Sequence, residues 1–207
     1  PFWAYVTHGG TNQLSVFDLN TVAPFTQIAS VTVGVNPRGV AVANGLRRAY
    51  VVNSGGSTIS VLDITTMSLV SSITITNLFQ MSEIVLSKDE QFFWVGGQDG
   101  PSIDGIVYKV STATQTPGES ILVGGINGTV FDLAFQDGAV PAVYATHPNN
   151  SVLAQIRYGA GLAAPNTGKT EIVLSGVKWV DVAPDGSRVY ASTRPAPTSR
   201  SRWKNSS

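Results

Sequence analysis

The sequence predicts an all-β protein assembled from repeated four-stranded antiparallel sheets, and three observations carry that expectation. A short strand motif returns about every 45 residues, as Ala4-Tyr5-Val6-Thr7-His8, Ala49-Tyr50-Val51-Val52-Asn53, Phe93-Trp94-Val95-Gly96-Gly97, Val143-Tyr144-Ala145-Thr146-His147 and Val189-Tyr190-Ala191-Ser192-Thr193. Successive copies end 45, 44, 50 and 46 positions apart. Between them lie short alternating apolar runs bounded by turn residues, and no segment shows a helical period. Such a repeat marks similar small sheets stacked radially, which is the architecture of a β-propeller. The copies predict a partial ring of about 4 to 5 blades, with repeats at about 4–34, 36–77, 81–125, 130–176 and 178–193.

The first repeat starts at its second strand and continues into Leu14-Ser15-Val16-Phe17-Asp18. In the second repeat, Gly39 to Ala43 is an apolar run suited to a buried inner strand. Asn44-Gly45 then supplies the positive φ expected of a hairpin turn. Ala49 to Asn53, Thr58 to Asp63 and Leu69 to Thr76 follow as strands. At the turn after the third strand, Asp63 can accept bonds from the backbone N–H groups ahead of it. The third repeat runs from Ile84-Val85-Leu86 through Ser87-Lys88-Asp89-Glu90 to Phe92. The fourth runs from Phe131-Asp132-Leu133-Ala134 to Val143-Tyr144, with about two extra residues in its turn. The fifth runs from Val180-Asp181-Val182-Ala183 through Pro184 to Arg188 and into Val189-Tyr190. Residues 194–207, rich in Pro, Ser and Arg, read as a disordered tail.

Composition narrows the function classes. Only 13% of residues are charged, against a usual share of roughly 25%. Thirteen basic residues balance 13 acidic ones, so no long-range field draws in a nucleic acid. Cysteine is absent, which removes disulfides, thiolate metal sites and a cysteine nucleophile. No run of 18 apolar residues predicts a membrane span. Nothing in the sequence calls for a cofactor or a metal. A chain starting at Pro1 suggests processing or truncation. Asn127-Gly128-Thr129, Asn149-Asn150-Ser151 and Asn205-Ser206-Ser207 match the N-glycosylation triplet, a pattern that Asn-, Ser- and Thr-rich chains also produce by chance. Low charge, abundant Ser and Thr and no cysteine favour an extracellular or cell-surface setting.

Tyr50-Val51-Val52-Asn53, followed by Ser54-Gly55-Gly56-Ser57 and Thr58 to Asp63, resembles the YVTN-type β-propeller repeat. Pro184-Asp185-Gly186-Ser187-Arg188-Val189-Tyr190 carries the turn typical of that family. The resemblance extends to about Thr193 and is looser in repeats three and four, where Lys109 and Arg157 stand in the places of Asp18 and Asp63. It implies a ring of seven blades, which at this period needs roughly 315 residues. It also implies a surface-layer or secreted setting. Some relatives in the family are lactonase-like enzymes.

Candidate site residues fall into three groups. His8 and His147 hold equivalent strand-end places, where Asn53, Gly97 and Thr193 stand in other repeats, so they read as structural hydrogen-bonding groups. Asp132 and Asp181 are the catalytic candidates. They occupy matching places of the expected inner strands in adjacent blades, where Ala41 and Val85 stand in other repeats. Facing a central channel, they would hold a cation or act as a general base on a lactone. The structural alternative is bonding to neighbouring strand backbone. The third group is a loop rim formed after the second strands of repeats three and four: Gln98, Asp99 and Asp104 with His147, Asn149 and Asn150. Loops on a rigid scaffold commonly carry recognition. Trp94, Trp179 and Phe131 are expected to pack between blades.

Two functions follow. The favoured one is a non-enzymatic binding or scaffold protein that engages a protein or glycan through the loop rim. The alternative is a lactonase-like hydrolase with a channel site, to which Arg38, Glu83, Asp132, Asp181 and Arg194 are the available contributors.

Overall fold

Alternation of apolar and polar side chains along short strands puts each residue pair on opposite faces of a sheet. The consequence is visible along the second repeat, where Ala49 and Val51 enter one core and Tyr50 and Val52 enter the next. A computed structural model describes residues 2–100, 103–125, 127–138, 141–158 and 169–193. The tail expected from Arg194 onward lies outside the described residues.

The strands form five successive antiparallel sheets. The first holds β1 (Trp3–His8), β2 (Gln13–Asp18) and β3 (Thr26–Thr32). The second holds β4 (Pro37–Ala43), β5 (Arg48–Asn53), β6 (Thr58–Asp63) and β7 (Ser68–Thr74). In the third, β8 (Leu78–Phe79) and β9 (Ile84–Leu86) both pair with β10 (Phe92–Asp99), which leads to β11 (Gly105–Ser111) and β12 (Pro117–Val123). The fourth holds β13 (Asp132–Gln136), β14 (Ala142–His147), β15 (Val152–Arg157) and β16 (Lys169–Val173). The fifth holds β17 (Val177–Val182) and β18 (Val189–Thr193). A single 3-10 turn at Pro148–Asn150 is the one helical element among the described residues.

Each core lies between consecutive sheets. Leu14, Ala49, Val51 and Leu62 fill the space between the first and second. Tyr50, Val61, Ile73 and Phe93 fill the next, with the Tyr50 and Phe93 rings 4.9 Å apart. Trp94, Val107, Val143 and Ile156 join the third and fourth, and Tyr144, Leu153 and Val180 the fourth and fifth. Strands β3, β7, β12 and β16 are the most exposed of their sheets, as outer edges should be. At the two ends of the series, Ile28 in the first sheet, with Phe25 just before its outer strand, and Tyr190 in the fifth remain exposed.

Two sequence expectations need local correction. In the turn after β4 the left-handed residue is Arg47 (φ 52°), not Asn44 or Gly45. Four-residue turns recur along the chain, and Asn12, Ser57, Met67 and Gln115 hold the same fourth place with positive φ. Gly45 serves a different need. Its N–H and that of Leu46 donate to the Glu90 carboxylate at 3.1 and 3.0 Å, and a Cβ there would stand 2.8 Å from Glu90 Oε2. The second correction concerns Lys109. Register sets Asp18 opposite Trp3, Asp63 opposite Arg48, Ser111 opposite Phe92 and Arg157 opposite Ala142. Ser111, not Lys109, therefore takes the place of the turn-forming aspartates. The two aspartates accept backbone bonds as expected, Asp18 from Asn20 and Asp63 from Thr65 and Thr66. Lys109 lies two residues earlier, with its Nζ 3.9 Å from the centroid of the Phe92 ring.

A candidate binding mouth at the inner-strand ends

Strands β4, β9, β13 and β17 neighbour one another in that order. Bonds between sheets hold their leading ends together. Thr7 Oγ1 donates to Arg38 O at 2.6 Å, Gly39 N to Ser82 O at 3.1 Å, and Ser82 Oγ to Val130 O at 2.5 Å. Thr146 Oγ1 donates to Lys178 O, and Val180 N donates to Asp132 Oδ2, both at 2.8 Å. At this level a pocket of about 230 Å³ opens, lined by Arg38, Gly39, Ser82, Glu83, Phe131, Asp132 and Trp179. Four successive sheets thus converge on one cavity.

Register explains which residues arrive there. Asp132 pairs with Thr146, Trp179 with Ser192, and Glu83 O accepts from Gly96 N, so these three stand at one level. Asp181 pairs with Tyr190, as Ala134 does with Tyr144, Ala41 with Tyr50 and Val85 with Trp94. Asp181 is therefore the counterpart of Ala134, and the expected equivalence with Asp132 does not hold. Ala134 precedes Tyr144 by ten residues, whereas Asp181 precedes Tyr190 by nine. Asp181 is exposed, accepts from Val182 N at 2.8 Å and does not line the pocket.

Burial pushes the Glu83 carboxyl above the ordinary carboxylate range. A bond from Ile84 N at 3.0 Å opposes the shift, and the nearby Asp132 charge reinforces it. Burial likewise raises Asp132, opposed by bonds from Val180 N and Leu133 N and reinforced by Asp181. Both Asp132 oxygens thus accept backbone N–H bonds, one of them from the next sheet. Gly39 makes room for Glu83, since a Cβ would stand 2.6 Å from Oε1 and 3.0 Å from the Glu83 Cα. Arg38 is exposed and has no part in the three ion pairs of the described residues.

The aromatic expectation holds for one tryptophan only. Trp94 is buried, with its ring stacked 5.1 Å from that of Phe135. Trp179 is 51% exposed and meets the edge of Phe131 at 5.9 Å. Lys178 Nζ lies 4.7 Å from the Phe131 centroid and 4.6 Å from that of Trp179. Alternation along β17 turns Val180 into the core and leaves Trp179 outward.

The predicted rim loops follow the second strands of their sheets, and so sit at the same strand ends as the pocket. Gln98 accepts from Gln80 Nε2 at 3.0 Å and donates to Ile103 O at 3.2 Å. Asp99 N donates to Asp104 O at 2.8 Å, and Asp104 Oδ1 is buried without a hydrogen-bond partner. The segment between the loops joins them: Gly128 N donates to Ile103 O, and Asn149 Nδ2 donates to Asn127 O. His147 is fully buried, so it shapes the rim from within. Its Nδ1 accepts from Asn150 N at 3.3 Å. Cβ atoms at Gly105, Gly124 and Gly128 would each stand under 3 Å from its ring. Burial pushes the imidazole below its ordinary pKa, with backbone bonds and the Glu171 and Asp104 charges opposing. His8, at the equivalent place in the first sheet, is exposed. Among the described residues no group of three or more His, Cys, Asp or Glu is placed to hold a metal ion. None of their helices is long and apolar enough to cross a membrane.

Successive small antiparallel sheets of two to five strands, with cores between neighbours, define a propeller-type fold. Solved structures bear this out. The chain is similar to Kuenenia stuttgartiensis hydrazine synthase at a TM-score of 0.73 and 20% identity, over 93% of this chain and 58% of that one. It is similar to the dihydro-heme d1 dehydrogenase NirN at 0.68 and 14%, over 93% and 39%. A functionally unknown protein from Desulfotomaculum acetoxidans DSM 771 matches at 0.69 and 17%, over 92% and 59%. The chain therefore spans about three fifths or less of these proteins, and at such identities the likeness concerns the fold alone. No protein-family model and no curated protein sequence matches it.

Proposed function

We propose that the chain is part of a non-enzymatic binding propeller of the YVTN type, whose working face combines the inner-strand mouth with the adjoining loop rim. The observation that carries this reading is the convergence of Arg38, Glu83, Asp132 and Trp179 from four sheets on one pocket. Concave sites with a few convergent polar groups and an aromatic wall are the usual form of ligand pockets. The Asp132 carboxylate is held by two backbone N–H groups, which suits positioning better than proton transfer. Gln98, Asp99, Asp104, Asn149 and Asn150 form the surrounding rim, with His147 beneath it. A protein or glycan partner fits this face. A longer polypeptide supplying further blades to a seven-bladed ring, and an extracellular or cell-surface setting, belong to the same proposal.

A fragment screen by NMR on the full chain tests the reading. Amide shifts clustering at Arg38, Gly39, Glu83, Asp132 and Trp179 support it, and a screen with no response at the mouth overturns it.

The lactonase-like alternative draws on the raised pKa values of Glu83 and Asp132, since a poised carboxyl is what a general base requires. Lactone hydrolysis lost in Glu83→Gln or Asp132→Asn would establish it. Asp181→Asn is expected to be silent in that assay.

A further inference from the structure

The mouth pocket has a chemistry narrower than binding in general. Resting on the reading of the mouth as a ligand site, we infer that it receives one neutral pyranose ring, the terminal sugar of a glycan.

Size comes first. About 230 Å³ falls below the roughly 300 Å³ at which drug-sized pockets begin, so a single ring with its substituents is what fits. Charge comes second. Glu83, Asp132 and Arg38 line the same cavity, with Lys178 beside its aromatic wall. A net anion would meet two carboxylates, and a net cation would meet Arg38 and Lys178, so a neutral ligand suffers least. Hydrogen bonding comes third. Two carboxylates offer acceptor lone pairs, and the exposed Arg38 guanidinium offers donors. A nucleobase presents its donors along one edge in a single plane, whereas the vicinal hydroxyls of a sugar donate and accept in turn around the ring.

Trp179 completes the argument. Trp179 is 51% exposed and lines the pocket beside the two carboxylates, with Lys178 Nζ 4.6 Å from its centroid, so its indole offers a π surface to a ligand there. The C–H bonds on one side of a pyranose form an apolar, weakly positive plane that stacks on such a face. Its hydroxyls then point sideways, toward Glu83 and Asp132. The Phe131 ring stands nearly perpendicular to the indole, with the centroids 5.9 Å apart.

The test is saturation-transfer NMR and titration calorimetry on the full chain. The probes are methyl glycosides of glucose, galactose and mannose, with glucuronate and adenosine as competing chemistries. The expected result is transfer from protein to the ring C–H protons of at least one neutral glycoside, with at least tenfold weaker binding in Trp179→Ala. Asp132→Asn, which keeps an acceptor for Val180 N, is expected to weaken binding about tenfold with the fold unchanged by circular dichroism. Preference for glucuronate or adenosine, lost in Trp179→Ala, overturns the sugar while leaving the mouth a ligand site. No binding by any probe also overturns the sugar, and the fragment screen then decides the mouth separately. Sugar binding that persists unchanged in Trp179→Ala places the ligand elsewhere and overturns the proposal.

Discussion

Gly39 and Glu83 approach so closely that a methyl group on the glycine would stand 2.6 Å from the Glu83 carboxylate and 3.0 Å from its Cα. Because the near atoms include backbone, the carboxylate cannot simply swing aside. Gly39→Ala is expected to destabilise the protein by about 1–3 kcal/mol through overpacking. Urea unfolding of the variant measures this, and an unchanged midpoint would show that the second and third sheets can part here without cost.

Asp132 joins its sheet to the next through Val180 N at 2.8 Å. Asp132→Ala leaves a half-buried N–H without its acceptor and should cost about 1–3 kcal/mol. Asp132→Asn retains one oxygen for that bond and should cost less. Equal losses in the two variants would mean that the charge, not the hydrogen bond, ties the sheets together.

The raised pKa of Glu83 has a definite sign in stability. An acid that is harder to ionise in the folded state binds more protons folded than unfolded. Its contribution is present below the ordinary carboxylate pKa and is lost as pH rises through the raised folded value. Glu83→Gln should flatten the stability profile in that window, relative to the parent protein. A parallel profile for the two proteins would remove Glu83 as the cause.

His147 acts in the opposite direction. Its folded pKa is lowered by burial, so its contribution is present above the ordinary value of 6.5 and is lost as pH falls through the folded one. Protection factors of the Gly124, Gly128 and Asn150 amides, with the intrinsic pH dependence of exchange divided out, should therefore fall on acidification, because these groups pack on or bond to the imidazole. His147→Gln should abolish that pH dependence. Persistent dependence would remove His147 as the cause.

Arg47 holds a left-handed conformation, with φ 52°. Arg47→Gly should relieve about 1 kcal/mol of backbone strain, partly offset by the greater freedom of glycine in the unfolded chain. A melting temperature that is unchanged or slightly raised is the expected outcome, and a clear fall would show that the Arg47 side chain contributes more than its backbone costs.

Much of the architecture was legible in the residues. Tyr50, Trp94, Tyr144 and Tyr190 sit where the repeat predicts, and the turns led by Asp18 and Asp63 form as expected, because such features depend on neighbours a few residues away. Arg38, Glu83 and Asp132 were also readable as contributors to a channel site. Their partnership with Trp179 was not, since a one-dimensional alignment assigned Asp132 the place that register assigns to Ala134.

The order of sheets and the alternation of their faces follow from local periodicity and turn chemistry, which any stretch of chain expresses without reference to distant parts. Strand register, the exposure of Trp179 and the burial of His147 depend on contacts between sheets some 45 residues apart. A shift of two positions keeps a side chain on the same face, so hydrophobic pattern alone is blind to it. Only the inter-sheet bonds, such as that from Val180 N to Asp132, select one level over the other and so choose what lines the mouth.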